Sequence, residues 1–283
     1  MGGNVIIDII EVLKAILIGI IQGITEWLPI SSTGHMMLAD EFIKLSVSAA
    51  FMEMFRVVIQ LGSIFAVIVL YFSRLNPFSS SKTAEDKKTA WMLWLKVAFA
   101  CIPAAIVGIL FDDAIDAMFY NSGTVVNTLL IYGAMFLIME NYYKVRYSKS
   151  KPKIDSAEGI PFKMAAVVGL FQVLALIPGT SRSGATIIGA LIIGMSRVAA
   201  AEFSFFLAIP TMLGASILKL VKFGFSFSAL EVAILLIGTL TAFAVSIVSI
   251  RFLIDFVERK GFRLFGYYRI LLGIVMFVYF ALL

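Results

Sequence analysis

The chain has 283 residues, 61% of them hydrophobic and only 14% charged, with a mean hydropathy of +1.00. Soluble domains run nearer about 25% charged, so this composition excludes a water-soluble globular protein. One Cys (Cys101) and one His (His35) exclude a disulfide framework, a zinc finger, an iron–sulfur cluster and a multi-histidine metal site. The formal charge of +5 is spread between apolar runs and not gathered on one face, so it offers no nucleic-acid surface.

A hydrocarbon core of about 30 Å needs ~20 apolar residues in a helix. The opening MGGNVIIDIIEVLK carries Asp8 and Glu11 ahead of its first Lys, the wrong charge order for a secretory leader, and is expected to be mature protein. Residues 12–45 are apolar but broken at PISSTGH (29–35). The first full span is predicted over 54–72, followed by a basic loop, 73–89, with Arg74, Lys82, Lys87 and Lys88. A second span, 90–111, precedes an acidic connection with Asp112, Asp113 and Asp116, and a third covers 123–140. Segment 141–161 is a basic linker. Residues 162–197 are again apolar and broken, at PGTSRSG (178–184), before spans at 203–222, 229–250 and 265–283. Segment 251–269 holds Arg251, Arg259, Lys260, Arg263 and Arg269. Pro103 and Pro210 fall inside spans and are expected to kink them.

The pieces flanking the two broken stretches, about 10–17 residues each, are too short to cross. They read as re-entrant pairs of half-helices, tolerated at that depth only where they line a protein-walled or wet cavity. With six spans and two re-entrant hairpins, all three basic segments fall on one side. The positive-inside rule makes that side the cytoplasm and leaves both termini outside.

The broken stretches also resemble each other. GIIQGITEWLPISSTG (19–34) and GLFQVLALIPGTSRSG (169–184) align at a shift of 150, matching Gly19 with Gly169, Gln22 with Gln172, Ser31 with Ser181 and Gly34 with Gly184. Each half then contains one hairpin and three spans, an odd number of crossings, so the second half is inverted. The expected fold is an all-α polytopic membrane protein of two inverted-topology repeats, 1–140 and 162–283. Such repeats place a site where the two breaks meet, near the midplane.

Pro29 ends one half-helix, and Ser31, Ser32 or Thr33 can cap the next, with Gly34 and His35 in its first turn. Unpaired N–H groups and the positive end of a helix dipole make that turn an anion site. Gln22 and Glu26, four apart, share a helix face and approach the same break. In the second break Thr180 or Ser181 caps a half-helix that begins with Arg182, Ser183 and Gly184. Arg suits bidentate phosphate binding. Two helix N-termini, an Arg and several hydroxyls describe a receptor for a multiply charged anion.

QGITEWLPISSTGH resembles the first signature of the undecaprenyl-pyrophosphate phosphatases of the bacitracin-resistance type, and PGTSRSG resembles their second. FRVVIQLGSIFAV (55–67) resembles a further segment of that family. The resemblance runs along the whole chain; Gln22 stands where the family carries Glu or Gln. It implies an enzyme of the bacterial cytoplasmic membrane that hydrolyses undecaprenyl diphosphate to the monophosphate and inorganic phosphate. That reaction recycles the lipid carrier of wall synthesis and removes the diphosphate that bacitracin sequesters. It also implies Mg²⁺ or Ca²⁺ as cofactor and catalysis open to the outer face; Glu26 with Gln22 is the expected holder of that cation where Glu26 does not serve as base. Glu26, Ser32, His35 and Arg182 are the expected catalytic residues. Gln22, Ser31, Thr33, Gly34, Thr180, Ser181, Ser183 and Gly184 are expected to bind the lipid substrate. Ser32 is the expected nucleophile with His35 or Glu26 as base, while attack by water or by His35 itself stays open. The competing reading is a transporter of polyprenyl phosphate or a small anion, since inverted repeats with broken helices are a transporter architecture. Oligomeric state is not encoded in any of these features.

Overall fold

The computed structural model describes residues 2–282, without the side chains of residues 2–8 and of Asp112. Met1 and Leu283, assigned above to the first repeat and the last span, lie outside the described residues, as do the side chains of Asp8 and Asp112 in the charge count. Twelve α-helices account for nearly all of the described chain, and its only strand-like pairing there is an isolated bridge between Ile154 and Met195.

The first break separates α1 (Gly2–Thr25) from α2 (Ser32–Phe42). α1 has 24 residues, longer than the half-helix expected, because the apolar sequence continues upstream of residue 12. The first span is two helices in line, α3 (Ala49–Val58) and α4 (Gln60–Leu70), interrupted at Ile59. After the short α5 (Phe72–Leu75), α6 (Ala84–Phe119) and α7 (Ser122–Arg146) complete the first half. The second break separates α8 (Phe162–Val173), with a 3₁₀ turn at Leu174–Leu176, from α9 (Arg182–Ile192). Three long helices follow: α10 (Arg197–Phe223), α11 (Ala229–Lys260) and α12 (Arg263–Leu282).

Six helical segments are long and apolar enough to cross a membrane, and each overlaps one of the predicted spans. Several of their ends sit further out than hydropathy alone places them. α7 runs six residues into the predicted linker, and α11 continues to Lys260. Polar caps explain this, since a helix continues past its apolar stretch until a capping residue ends it. Thr83 with Asp86 and Ser228 with Glu231 form capping boxes for α6 and α11, and Gly224 and Gly261 close α10 and α11 at φ 91° and 72°. Pro103 and Pro210 lie inside unbroken helices.

The helices interlock across the halves. α1 packs on α11 while α8 packs on α6, and the third spans of the two halves, α7 and α12, pack on each other. The α1 and α8 contacts depend on a small residue at corresponding places. A Cβ on Gly19 would come within 2.7 Å of the Gly238 carbonyl oxygen, and one on Gly169 within 2.1 Å of the Ala100 oxygen. Backbones this close are the membrane's substitute for a hydrophobic driving force between helices. The largest buried cluster runs from Trp27 and Ile30 at the first break to Phe203–Leu207 on α10, so the two breaks lie in the core of the bundle.

Candidate active site

Both breaks end the same way. Ser31 and Ser181 are the N-caps of α2 and α9; each accepts the N–H of the residue three further on, Gly34 or Gly184, at 3.2 Å. Both serines have positive φ, 76° and 68°. Non-glycine residues held there cost about 1–3 kcal/mol each and persist only where their surroundings enforce them. Two residues before Ser181, Gly179 is at φ +86°, and a Cβ there would meet Thr128 Oγ1 at 2.2 Å. The result is two helix N-termini in the core, each with first-turn N–H groups lacking an intrahelical acceptor.

Glu26 sits between them, 6% exposed, and its carboxylate gathers the predicted residues. Gln22 Nε2 donates to Glu26 Oε2 at 2.9 Å, as the four-residue spacing predicts. The Ser32 hydroxyl donates to the same oxygen at 3.2 Å. Arg182 donates to Oε1 at 3.3 Å, forming an ion pair between the two breaks. Ser183 Oγ donates to the Glu26 carbonyl at 3.3 Å and lies 3.1 Å from Ser181 Oγ. Gln22, Glu26, Ser32, Ser181, Arg182 and Ser183 are thus one hydrogen-bonded group, while Ser31 bonds Gly34 and His35, with Gly34 and Gly184 in the capped first turns.

His35 is oriented otherwise than the sequence suggested. Its Nδ1–H donates to the Ser31 carbonyl at 2.7 Å, which leaves Nε2 to meet the Tyr268 hydroxyl at 2.7 Å. Among the described residues neither ring nitrogen bonds Ser32 or Glu26. Of the two bases considered for Ser32, only Glu26 is within hydrogen-bond reach. Thr33 occupies the first turn of α2 with no side-chain bond, and Thr180 is buried in the second break.

Four residues that sequence reasoning missed complete the site. Ser204 on α10 accepts Arg182 at its carbonyl (2.7 Å) and Thr186 Oγ1 at its hydroxyl (2.7 Å). Trp27, fully buried, places its ring under the Arg182 guanidinium at 5.8 Å and edge-on to Phe205. Tyr268 holds His35. Arg269, counted above among the cytoplasmic loop cations, is instead 0% exposed. Its side chain donates to backbone carbonyls of both breaks, so it belongs to the site and drops out of the charge count. The signal was present, because an Arg inside the apolar run 265–283 is costly and marks function by default.

The donor set bears on a cation. Glu26 is the one carboxylate of the site, and no group of three His, Cys, Asp or Glu able to hold a metal occurs among the described residues. One carboxylate and one amide oxygen do not make a preformed cage. They do fit Mg²⁺ or Ca²⁺ bound largely through phosphate oxygens of a substrate. Charged groups the sequence places near the ends of the first hairpin and first span have separate partners: Arg56 pairs with Asp40, Glu53 with Lys219, and Lys14 with Glu11. A cavity of about 470 Å³ opens between α6 and α10 near Gly108 and Leu218, and no residue of either break lines it.

The family model described as "Bacitracin resistance protein BacA" matches residues 15–275. The chain is 58% identical to a protein of Acetivibrio thermocellus named undecaprenyl-diphosphatase, over 96% of this chain and 98% of that one. It is 53% identical to the undecaprenyl-diphosphatase of Desulfitobacterium hafniense over 96% and 97% of the two chains. It is 55% identical to that of Enterococcus faecalis over 94% and 96%.

Proposed function

The chain belongs to the BacA family of bacitracin resistance proteins, and from that premise we propose that it hydrolyses undecaprenyl diphosphate to undecaprenyl phosphate and inorganic phosphate in the bacterial cytoplasmic membrane. The observation that carries the chemistry is the Ser32 hydroxyl donated to a Glu26 carboxylate whose other oxygen is held by Arg182. A hydroxyl, a base within reach and a guanidinium at two helix N-termini are what phosphoryl transfer needs, and a site that only carried anions would have no use for the hydroxyl–carboxylate pair.

In this reading Ser32 Oγ attacks the distal phosphorus while its proton passes to Glu26. The bond from that phosphorus to the bridging oxygen breaks, and the lipid monophosphate leaves. Water then hydrolyses the phosphoseryl group, releasing phosphate and restoring the serine. Arg182, kept in place by the Ser204 carbonyl, and the N–H groups of Thr33 and Ser183 neutralise charge on the transferred group. Gln22 orients Glu26, and Ser31, Gly34, Thr180, Ser181 and Gly184 shape the cradle. His35, fixed between Ser31 and Tyr268, acts as a polar wall of the phosphate site. Glu26 and Gln22 are the residues that would hold Mg²⁺ or Ca²⁺, which when bound supplies neutralising charge to the diphosphate.

The same reading gives the protein two inverted repeats, each one re-entrant hairpin and three spans. Support comes from the matched serine caps, the matched glycines 19 and 169, and the crossed packing of α1 on α11 and α8 on α6. The basic segments lie in the cytoplasm, the termini outside, and the first hairpin opens outward to take substrate, with its isoprenoid tail in the lipid.

The test is incubation of the purified protein in detergent with undecaprenyl diphosphate, with and without EDTA, following inorganic phosphate and the lipid product. Stoichiometric phosphate and lipid monophosphate, both suppressed by EDTA and restored by Mg²⁺ or Ca²⁺, are expected. Unchanged substrate from folded protein in the presence of cation would refute the proposal.

A further inference from the structure

One side chain touches both breaks and makes no chemistry of its own. Arg269, on α12, is fully buried. Its guanidinium donates to the Pro29 carbonyl at 3.3 Å, to Gly179 at 2.8 Å, to Thr180 at 3.0 Å and to Thr128 on α7 at 3.4 Å. It lies 5.5 Å from the centre of the Tyr132 ring. These partners are backbone oxygens and an aromatic face, with no carboxylate among them. A buried cation without a counter-ion is expensive and needs a reason to be there.

The carbonyls it holds supply that reason. Thr180 immediately precedes Ser181 and Pro29 lies two residues before Ser31, the two serines held at positive φ. In a trans peptide the N–H points opposite the C=O, so drawing the Thr180 oxygen toward Arg269 turns the Ser181 N–H the other way. A Cβ on Gly184, in the first turn of α9, would stand 3.3 Å from an Arg269 terminal nitrogen. The positive charge therefore lies directly behind that helix N-terminus.

We infer that Arg269 is a positioning residue of the phosphatase site: it locks the two strained caps in one mutual register and sets an uncompensated positive charge behind the diphosphate cradle. The inference rests on the hydrolase reading above. Lysine cannot substitute for it, because one ammonium cannot present the planar fork that spans Pro29, Gly179 and Thr180.

The experiment compares the parent protein with Arg269→Lys and Tyr132→Leu, the latter keeping the guanidinium while removing the ring beneath it. Steady-state phosphate release from undecaprenyl diphosphate gives kcat and KM for each, and thermal unfolding of the same preparations gives the folded fraction. Misplacing reacting groups by an ångström costs on the order of 100-fold; R269K is expected to lose about that in kcat per folded molecule, with KM within about threefold. Y132L is expected to lose on the order of tenfold in kcat, in the same sense. If R269K does not fold, the kcat of Y132L alone decides. Parent-like kcat in folded R269K or in Y132L would overturn the inference, as would a loss confined to thermal stability. An inactive parent would instead count against the hydrolase reading.

Discussion

Replacing Glu26 by Gln changes one atom in the centre of the site and separates its three duties. The carboxylate accepts from Gln22 at 2.9 Å, from Ser32 at 3.2 Å and from Arg182 at 3.3 Å. An amide of the same shape keeps one oxygen for Arg182 but cannot take the Ser32 proton. Removing a general base lowers rates by about 10²–10⁴, or ~3–5 kcal/mol at 1.36 kcal/mol per decade. Breaking a buried ion pair outright costs about 3–5 kcal/mol of stability; because the amide oxygen still faces Arg182, about 2 kcal/mol is expected here. Phosphate release by E26Q should therefore fall at least about 100-fold, with only a modest drop in unfolding temperature. His35→Asn supplies the contrast. His35 bonds Ser31 and Tyr268 and not Ser32, so its loss should cost only about tenfold by loosening the pocket. E26Q with more than about a tenth of parental activity, or H35N the more damaging of the two, would refute Glu26 as the base.

Gly169→Ala pushes a methyl to within 2.1 Å of the Ala100 carbonyl oxygen and should separate α8 from α6. A loss of about 1–3 kcal/mol is expected, read as a lower unfolding temperature, and an unchanged one would show that the helices do not approach so closely. At the basic end, Arg74 donates to both Glu158 (2.8 Å) and Glu202 (2.5 Å). Burial pushes the Glu158 carboxyl up, but its bonds to Arg74 pull it further down, to a net value below the ordinary range. A depressed carboxyl contributes stability that is complete above its ordinary value, about 4.3, and is lost as pH falls through its lower folded value. Unfolding temperature should thus drop below about pH 4 in the parent and be less acid-sensitive in Glu158→Gln; equal acid sensitivity would show the pair contributes nothing. Orientation is checked with Cys101 replaced by Ala and single cysteines at exposed Ser80 or Ala50. An impermeant maleimide on intact cells should label position 50 and spare position 80, and the reverse pattern would invert the topology.

Length and hydropathy located all six helical segments long and apolar enough to cross a membrane, because ~20 apolar residues in a row have few other fates. Proline, glycine and hydroxyl residues in PISSTGH and PGTSRSG likewise announced both breaks, and the i, i+4 spacing of Gln22 and Glu26 carried through to a hydrogen bond. What local sequence could not hold is the meeting of distant elements. Ser204 and Tyr268 enter the site from helices whose own stretches read as plain spans. His35 seemed bound for Ser32 because both lie in one turn, but a side-chain direction depends on the neighbour it finds, here Tyr268 from 233 positions away. Arg269 was misplaced for a related reason. It lies six residues beyond Arg263, and charge counting by segment cannot tell a cation in the loop from one turned inward on the next helix. The interruption at Ile59 had no Pro or Gly to mark it.

The central claim is that residues of both breaks form one hydrolytic centre, and phosphate release by the parent, S32A, R182A and the double variant tests it most directly. Groups that act as a unit are strongly non-additive. The account predicts turnover of undecaprenyl diphosphate by the parent, collapse in each single variant, and little further loss in the double one. Losses that multiply would mean that Ser32 and Arg182 work independently, and parental turnover in S32A would remove the serine from the chemistry.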